Sequence, residues 1–249
     1  MIEVYAVGIG PGSTDYLTPQ AAAVLRKCTV IAGYKLYLEQ IPEFTRGKRL
    51  IPGTMRQEVM RCREALDAAL AGETVAVISS GDAGVYGMAG LLLELTEFER
   101  YREIRITVIP GLTAALAAAA LVGAPLMNDF AVLSLSDLMT PKDLIEKRLR
   151  LLAETDFVVA LYNPASSKRR ELLDYAIRVF RAAGGPLPCA LCRNVGREAE
   201  QFELFTLDTL PREQVQMTSL VIIGNSRTVI RNNRLYCPRG YREKYELEG

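Results

Sequence analysis

Glu73-Thr-Val-Ala-Val-Ile-Ser-Ser-Gly-Asp-Ala-Gly-Val-Tyr-Gly87 decides the fold class. Its first half, Glu73–Ser79, is a β-branched run without polar alternation, the pattern of a strand buried on both faces. Ahead of it, Arg56–Leu70 has helical periodicity and stops at Gly72, a residue that readily ends a helix. Behind it, a helix is predicted over Met88–Glu97 and a strand over Arg105–Ile109. Apolar strands alternating with helices predict an α/β fold whose first sheet is mainly parallel and covered on both sides.

Working outward, Glu3–Ile9 reads as a strand that runs into Gly8-Ile-Gly-Pro-Gly12. Thr18-Pro19 opens a helix carried by Ala21–Arg26, with threonine as N-cap and proline in the first turn, and Cys28–Ala32 is the next strand. Pro110-Gly111 leads into an alanine-rich helix over Thr113–Val122, and after Gly123-Ala-Pro125 the rhythm restarts. Strands are expected at Phe130–Leu135, Phe157–Tyr162, Cys189–Arg193, Glu203–Leu207 and Leu220–Ile223, with helices at Pro141–Ala153 and Ser166–Ala182. The closely spaced later strands predict a mixed second sheet. A boundary within 113–126 gives an N-terminal α/β domain over 1–115 and a C-terminal one over 116–249. The Arg- and Lys-rich tail from Arg227 reads as a solvated edge.

Length and charge agree with this. The chain has 249 residues, and 30 Lys plus Arg against 29 Asp plus Glu leave a formal charge of +1, too neutral for a dedicated nucleic-acid binder. The longest apolar stretch, Leu112–Met127, is broken by Gly123 and Pro125 and falls short of the roughly 20 residues that span a bilayer. With no histidine, Ser-His-Asp and Cys-His catalysis and imidazole metal sites are excluded. Five cysteines, an odd number with no signal peptide ahead of them, suggest a reducing, cytoplasmic setting. Cys189 and Cys192 form a CxxC, but on a strand positions three apart face opposite sides, so no metal site is expected there.

In parallel sheets, ligands sit beyond the carboxyl ends of the strands. Four such ends carry unusual residues here: Gly8–Gly12, Ser79–Gly87, Pro110-Gly-Leu-Thr-Ala114 and Tyr162-Asn-Pro164. Glycines let a ligand approach the backbone closely. The first loop is neither GxGxxG nor a Walker A loop, and Pro11 has no N–H to give a phosphate. Asp82 in the second loop could meet a ribose, an amine or a cation, or could instead cap a helix starting near Val85.

With Ile222-Ile-Gly-Asn-Ser226 added, this set resembles the tetrapyrrole methyltransferases. Gly33-Tyr34-Lys35, Ser134-Leu-Ser-Asp137 followed by Thr140-Pro141, Leu161-Tyr-Asn-Pro164, Asn194-Val-Gly-Arg197 and Met217-Thr218 narrow the likeness. They point to the cobalamin-pathway branch that methylates carbon 17 of a precorrin-3 type macrocycle and contracts the ring. The resemblance runs from residue 2 to about residue 236. It implies the two-domain tetrapyrrole methylase fold (class III), with the active site in the cleft between domains and a homodimeric assembly. It also implies S-adenosyl-L-methionine bound by Pro11, Ser80, Gly81, Asp82, Val85, Thr113, Ala114, Asn163 and Gly196, with no protein-bound metal.

A polycarboxylate substrate calls for cations, and Arg193, Arg197, Lys168 and Arg169 follow expected strand ends. Ring contraction calls for an acid or base, for which Ser134, Ser136, Asp137 and Tyr162 are the candidates. Where the family leads one to expect a histidine, before Asp129-Phe130, this chain has Asn128. The cobalt-bearing substrate is favoured over metal-free precorrin-3B. Other readings are a sibling enzyme acting on another tetrapyrrole carbon, or on RNA or protein, and a non-catalytic domain that binds cofactor or tetrapyrrole.

Overall fold

The computed structural model describes residues 2–165 and 170–245. The chain divides into two compact units, Met1–Ala114 and Ala115–Gly249. In the first, β1 (Ile2–Gly8), α1 (Pro19–Lys27), β2 (Val30–Tyr34), α2 (Lys35–Leu38), α3 (Pro42–Thr45), β3 (Arg49–Gly53), α4 (Glu58–Leu70), β4 (Val75–Ser79), α5 (Ala89–Thr96) and β5 (Ile104–Ile109) follow in order. The strands form one sheet in the order β3-β2-β4-β1-β5, parallel throughout.

Alternate residues of β1, β2 and β4 enter different cores. Val4, Ala6, Val75 and Val77 pack with Cys62 and Leu66 of α4 and Leu92 of α5. Tyr5, Val7, Ala76 and Ile78 pack with Val24 and Leu25 of α1 and with Leu38 and Phe44. Both faces are covered, which is why the strands lack polar alternation. Thr18 caps α1 by accepting from the Ala21 N–H at 3.1 Å, with Pro19 in the first turn. At the other end the Lys48 ammonium donates to the carbonyls of Leu25, Arg26 and Cys28, the orphaned acceptors of the last turn.

In the second unit come α6 (Ala114–Val122, its first residue on the boundary), β6 (Gly123–Ala124), β7 (Phe130–Ser134), α7 (Lys142–Glu154), β8 (Val158–Tyr162) and α8 (Glu171–Gly184). They are followed by β9 (Pro188–Arg193), β10 (Gln201–Thr206), β11 (Leu220–Ile223), β12 (Val229–Arg231), β13 (Arg234–Tyr236) and α9 (Tyr241–Lys244). The larger sheet runs β10-β9-β11-β8-β7, with β7 and β8 parallel and the remaining pairs antiparallel, the mixed sheet expected. Leu133, Leu161, Leu191 and Ile223 pack one face of it under Leu149 of α7 and Ile177 and Phe180 of α8.

Two features differ from the sequence reading, the edge strand β3 and the tail from Arg227. Arg49–Gly53 is an edge strand beside β2, where Pro52 is tolerated. The helix after Ser79 begins within a residue of the expected Met88, and a hydrogen-bonded loop precedes it. The Ala83 carbonyl accepts from the Ala89 N–H, the Ser79 hydroxyl accepts from the Met88 N–H, and α5 starts at Ala89. The tail from Arg227 is more than a solvated edge, because β12 and β13 form a hairpin and β13 pairs in parallel with β6. This buries Leu235 and Cys237 while Val229–Arg231 stay exposed.

Candidate functional site

β4, β1 and β5 are neighbours, so the three loops leaving their carboxyl ends emerge together. Gly10 and Gly81 exchange backbone hydrogen bonds of 3.1 and 2.7 Å as an isolated antiparallel bridge. The third loop packs backbone to backbone on both. A Cβ on Gly111 would meet the Gly81 carbonyl oxygen at 2.2 Å and the Gly8 carbon at 2.7 Å. A Cβ on Gly8 would in turn meet the Gly111 nitrogen at 2.7 Å. Three glycines on three strand ends thus form one close-packed floor.

Asp82 locks that floor. Its Oδ1 accepts from the Gly84 N–H at 2.7 Å and its Oδ2 from the Gly111 N–H at 2.9 Å. The carboxylate therefore ties the second loop to the third. It caps no helix near Val85, because α5 begins at Ala89. Pro11 and Gly81 are buried, while Ser80, Asp82, Val85, Thr113 and Ala114 are part-exposed around the same strand ends. All the unit-one residues assigned above to the cofactor thus lie on this set of loops.

The second unit brings together a separate group. β7 and β8 end in register, Ser134 opposite Tyr162. Asn163 holds a left-handed backbone (φ 49°) and its amide donates to the Ser134 hydroxyl at 3.0 Å. The Ser136 N–H donates to the same oxygen at 3.2 Å. The Tyr162 phenol oxygen accepts from the Ala115 N–H at 2.8 Å, satisfying a first-turn donor of α6. Ser134, Ser136, Tyr162 and Asn163 therefore form one cluster, with Asp137 exposed beside it.

Gly196 lies in the turn after β9, with positive φ (72°) and its N–H on the Glu200 carboxylate. Arg193, at the end of β9, is paired with Glu203 and donates to the Gln214 Oε1 at 3.2 Å. Arg197 is exposed on the same turn. Lys168 and Arg169 lie outside the described residues. Asn128 donates to the Cys237 sulfur at 3.0 Å and to the Pro238 carbonyl at 3.1 Å, so its amide holds the C-terminal segment.

Cys189 points into the core with Leu191, whereas Cys192 lies on the opposite face of β9. Burial pushes both thiols up to about 12. Among the described residues no three His, Cys, Asp or Glu side chains gather as a metal-ligand group, and no helix is long and apolar enough to cross a membrane. Sequence reading overlooked Gly8 and Gly111 as site residues. Both stand in the quoted motifs, but only the folded backbone shows that they touch.

Residues 3–211 match the family model of the Tetrapyrrole (Corrin/Porphyrin) Methylases. A probable cobalt-factor III C(17)-methyltransferase of Salmonella typhimurium is 44% identical over 94% of this chain and 98% of its own length. The cobalt-factor III methyltransferase of Priestia megaterium is 39% identical over 98% of this chain, which spans only 46% of that longer protein. The crystal structure of the methyltransferase CobJ superposes with a TM-score of 0.89 at 36% identity, covering 95% of this chain and 99% of that one.

Proposed function

Because the chain belongs to the tetrapyrrole (corrin/porphyrin) methylase family, we propose that it transfers a methyl group from S-adenosyl-L-methionine to carbon 17 of a precorrin-3 type macrocycle, with ring contraction. The observation that carries this reading is the glycine floor of Gly8, Gly81 and Gly111 locked by Asp82. A Cβ at Gly8 or Gly111 would clash with backbone, so the strand ends close into a smooth surface bordered by polar groups. Such a surface suits a nucleoside and an amino-acid end, and it needs neither metal nor imidazole.

Pro11, Ser80, Gly81, Asp82, Val85, Thr113 and Ala114 of the first unit, with Asn163 and Gly196 of the second, would hold the cofactor. When bound, it supplies a methyl group already activated as a sulfonium. The chain's own task is then orientation, which can contribute several kcal/mol towards the barrier. Each Asp82 oxygen accepts one backbone N–H and keeps further acceptor capacity for a ribose hydroxyl or an ammonium.

Ser134 accepts two hydrogen bonds, which use both of its lone pairs and leave its own proton to donate. It therefore serves as a donor to a macrocycle oxygen rather than as a base. Tyr162 and the exposed carboxylate of Asp137 stand beside it for the proton transfers of ring contraction. Of the cations proposed for the substrate's carboxylate arms, Arg197 is exposed on the turn after β9, and Arg193 pairs with Glu203 and Gln214.

The cobalt-bearing substrate is preferred, supported by the names carried by the Salmonella and Priestia relatives. Cytoplasmic location is supported by five free, buried cysteines. A homodimer completes the proposal and is checked by sedimentation. The deciding assay is anaerobic incubation with S-adenosyl-L-methionine and each macrocycle in turn, followed by mass spectrometry. A product one methyl heavier from the cobalt form alone supports the proposal. A product from the metal-free hydroxylated form alone refutes the cobalt assignment, and no product from either refutes the activity.

A further inference from the structure

Arg61 is the anomaly of the first unit. It sits on the inner face of α4 with Cys62, Ala65 and Leu66 and is 5% exposed. Its guanidinium lies over Gly53, the last residue of β3, where a Cβ would meet Nη1 at 2.2 Å. The fold has therefore kept a side chain out of the way of this group.

The group is nevertheless poorly satisfied. Nη1 reaches the Thr54 carbonyl only at 3.5 Å, Nη2 faces the Met88 sulfur at 3.9 Å, and Nε has no partner. Among the described residues no carboxylate pairs with it. Lys48 and Arg193 show that this chain pairs its other part-buried cations with carbonyls or a carboxylate. A buried guanidinium with five donors and two marginal acceptors is a charge without its counter-ion. Its position supplies a reason. Gly53-Thr54 follows the carboxyl end of β3, and Met88 closes the loop that leaves β4, so Arg61 lies on the ligand side of the parallel sheet.

We infer that Arg61 binds a carboxylate of the ligand, completing a fork-to-fork pair that the protein alone leaves open. The inference rests on the proposed methyltransferase function. That reaction offers two sources of the same chemistry: an acetate or propionate arm of the macrocycle, and the methionyl carboxylate of the cofactor. A purely structural arginine, stiffening the Gly53-Thr54 turn, would leave the affinity for both unchanged.

Calorimetric titration of wild type, Arg61→Met and Arg61→Lys with S-adenosylhomocysteine and, separately, with the macrocycle tests this, with circular dichroism as the check of folding. Removing one partner of a desolvated charge pair is expected to weaken one of the two ligands about 30-fold or more in Arg61→Met. In Arg61→Lys, which keeps the charge but loses the fork, about tenfold is expected. The melting temperature of Arg61→Met should hold or rise, because an unpaired buried charge is removed. Weakening of the macrocycle alone assigns the carboxylate to the substrate, and weakening of S-adenosylhomocysteine alone assigns it to the cofactor; both support the site. If a folded Arg61→Met binds both ligands within twofold of wild type, the inference is overturned. Should that variant not fold, the same criterion applies to Arg61→Lys. If wild type binds neither ligand, the proposed function fails and the inference falls with it.

Discussion

Replacing Gly111 by alanine tests the packing of the three strand ends most directly. The added methyl would stand 2.2 Å from the Gly81 carbonyl oxygen and 2.7 and 2.8 Å from the carbon and Cα of Gly8. All of these are backbone atoms, so no side chain can rotate away. Carbon needs about 3.5 Å, so a gap of more than an ångström has to open. Overpacking of this kind costs about 1–3 kcal/mol. The opening also stretches the Gly111 N–H bond to Asp82, at 2.9 Å, and the Gly10–Gly81 pair at 3.1 and 2.7 Å, each worth about 1 kcal/mol net. A loss of about 3 kcal/mol follows, or roughly 6–12 °C in melting temperature for a chain of this size. Gly90→Ala is the control, since nothing lies within 4 Å of its Cβ position in α5. It should stabilise by up to about 1 kcal/mol. Differential scanning calorimetry with S-adenosylhomocysteine titration reads both effects. A Gly111→Ala protein that melts with wild type and binds the ligand equally well would falsify the close-packed floor.

Asp82→Ala should weaken S-adenosylhomocysteine at least tenfold and cost about 1.5–3 kcal/mol, because the Gly84 and Gly111 N–H groups lose a charged acceptor; unchanged calorimetric affinity would leave Asp82 a loop tie and nothing more. Lys48→Met should cost about 1–2 kcal/mol in urea unfolding by baring the last carbonyls of α1, and a neutral outcome would mean that water serves them equally well. Burial raises Cys28 and Cys62 to about 11 and Cys189 and Cys192 to about 12, against 9.0 for a free thiol. The unfolded chain therefore releases these protons first, and stability falls above pH 9 by up to about 1.4 kcal/mol per pH unit per thiol. Urea midpoints at pH 8 and pH 10 should show the drop, and a Cys189→Ala, Cys192→Ala protein should show a shallower one; equal slopes for the two proteins would contradict the assignment.

Local signals that need no partner were legible in the sequence. Thr18-Pro19, Gly72 and the unalternating run at Val75–Ser79 each name their element unaided, and the opposite facing of Cys189 and Cys192 follows from strand geometry. What the sequence hides depends on the other side of a contact. Arg49–Gly53, with a proline and three exposed residues, reads as loop until β2 supplies its ladder. Val229–Tyr236 looks too charged for a sheet until β6 accepts it. The site divides the same way: the glycine motifs are visible as motifs, but the joining of Gly111 to Asp82 and of Asn163 to Ser134 is tertiary. Arg61 left one trace, a cation at an apolar position of the helical stripe that Ala65 and Ala68 continue.

The pairing of β13 with β6 has a consequence for synthesis. Unit one closes its sheet with β5, whose last residue is Ile109, so it can fold while the rest of the polypeptide is still being made. Unit two cannot follow element by element. Its first strand waits for one of its last, and Leu235 joins Gly123 across most of the unit's length. Until Cys237 has left the ribosome, Asn128 lacks its sulfur and carbonyl acceptors and the edge of β6 stays open. During translation the nascent chain therefore carries a finished first half and an unsealed second one, and this late closure is the window in which a chaperone or a protease can act on it.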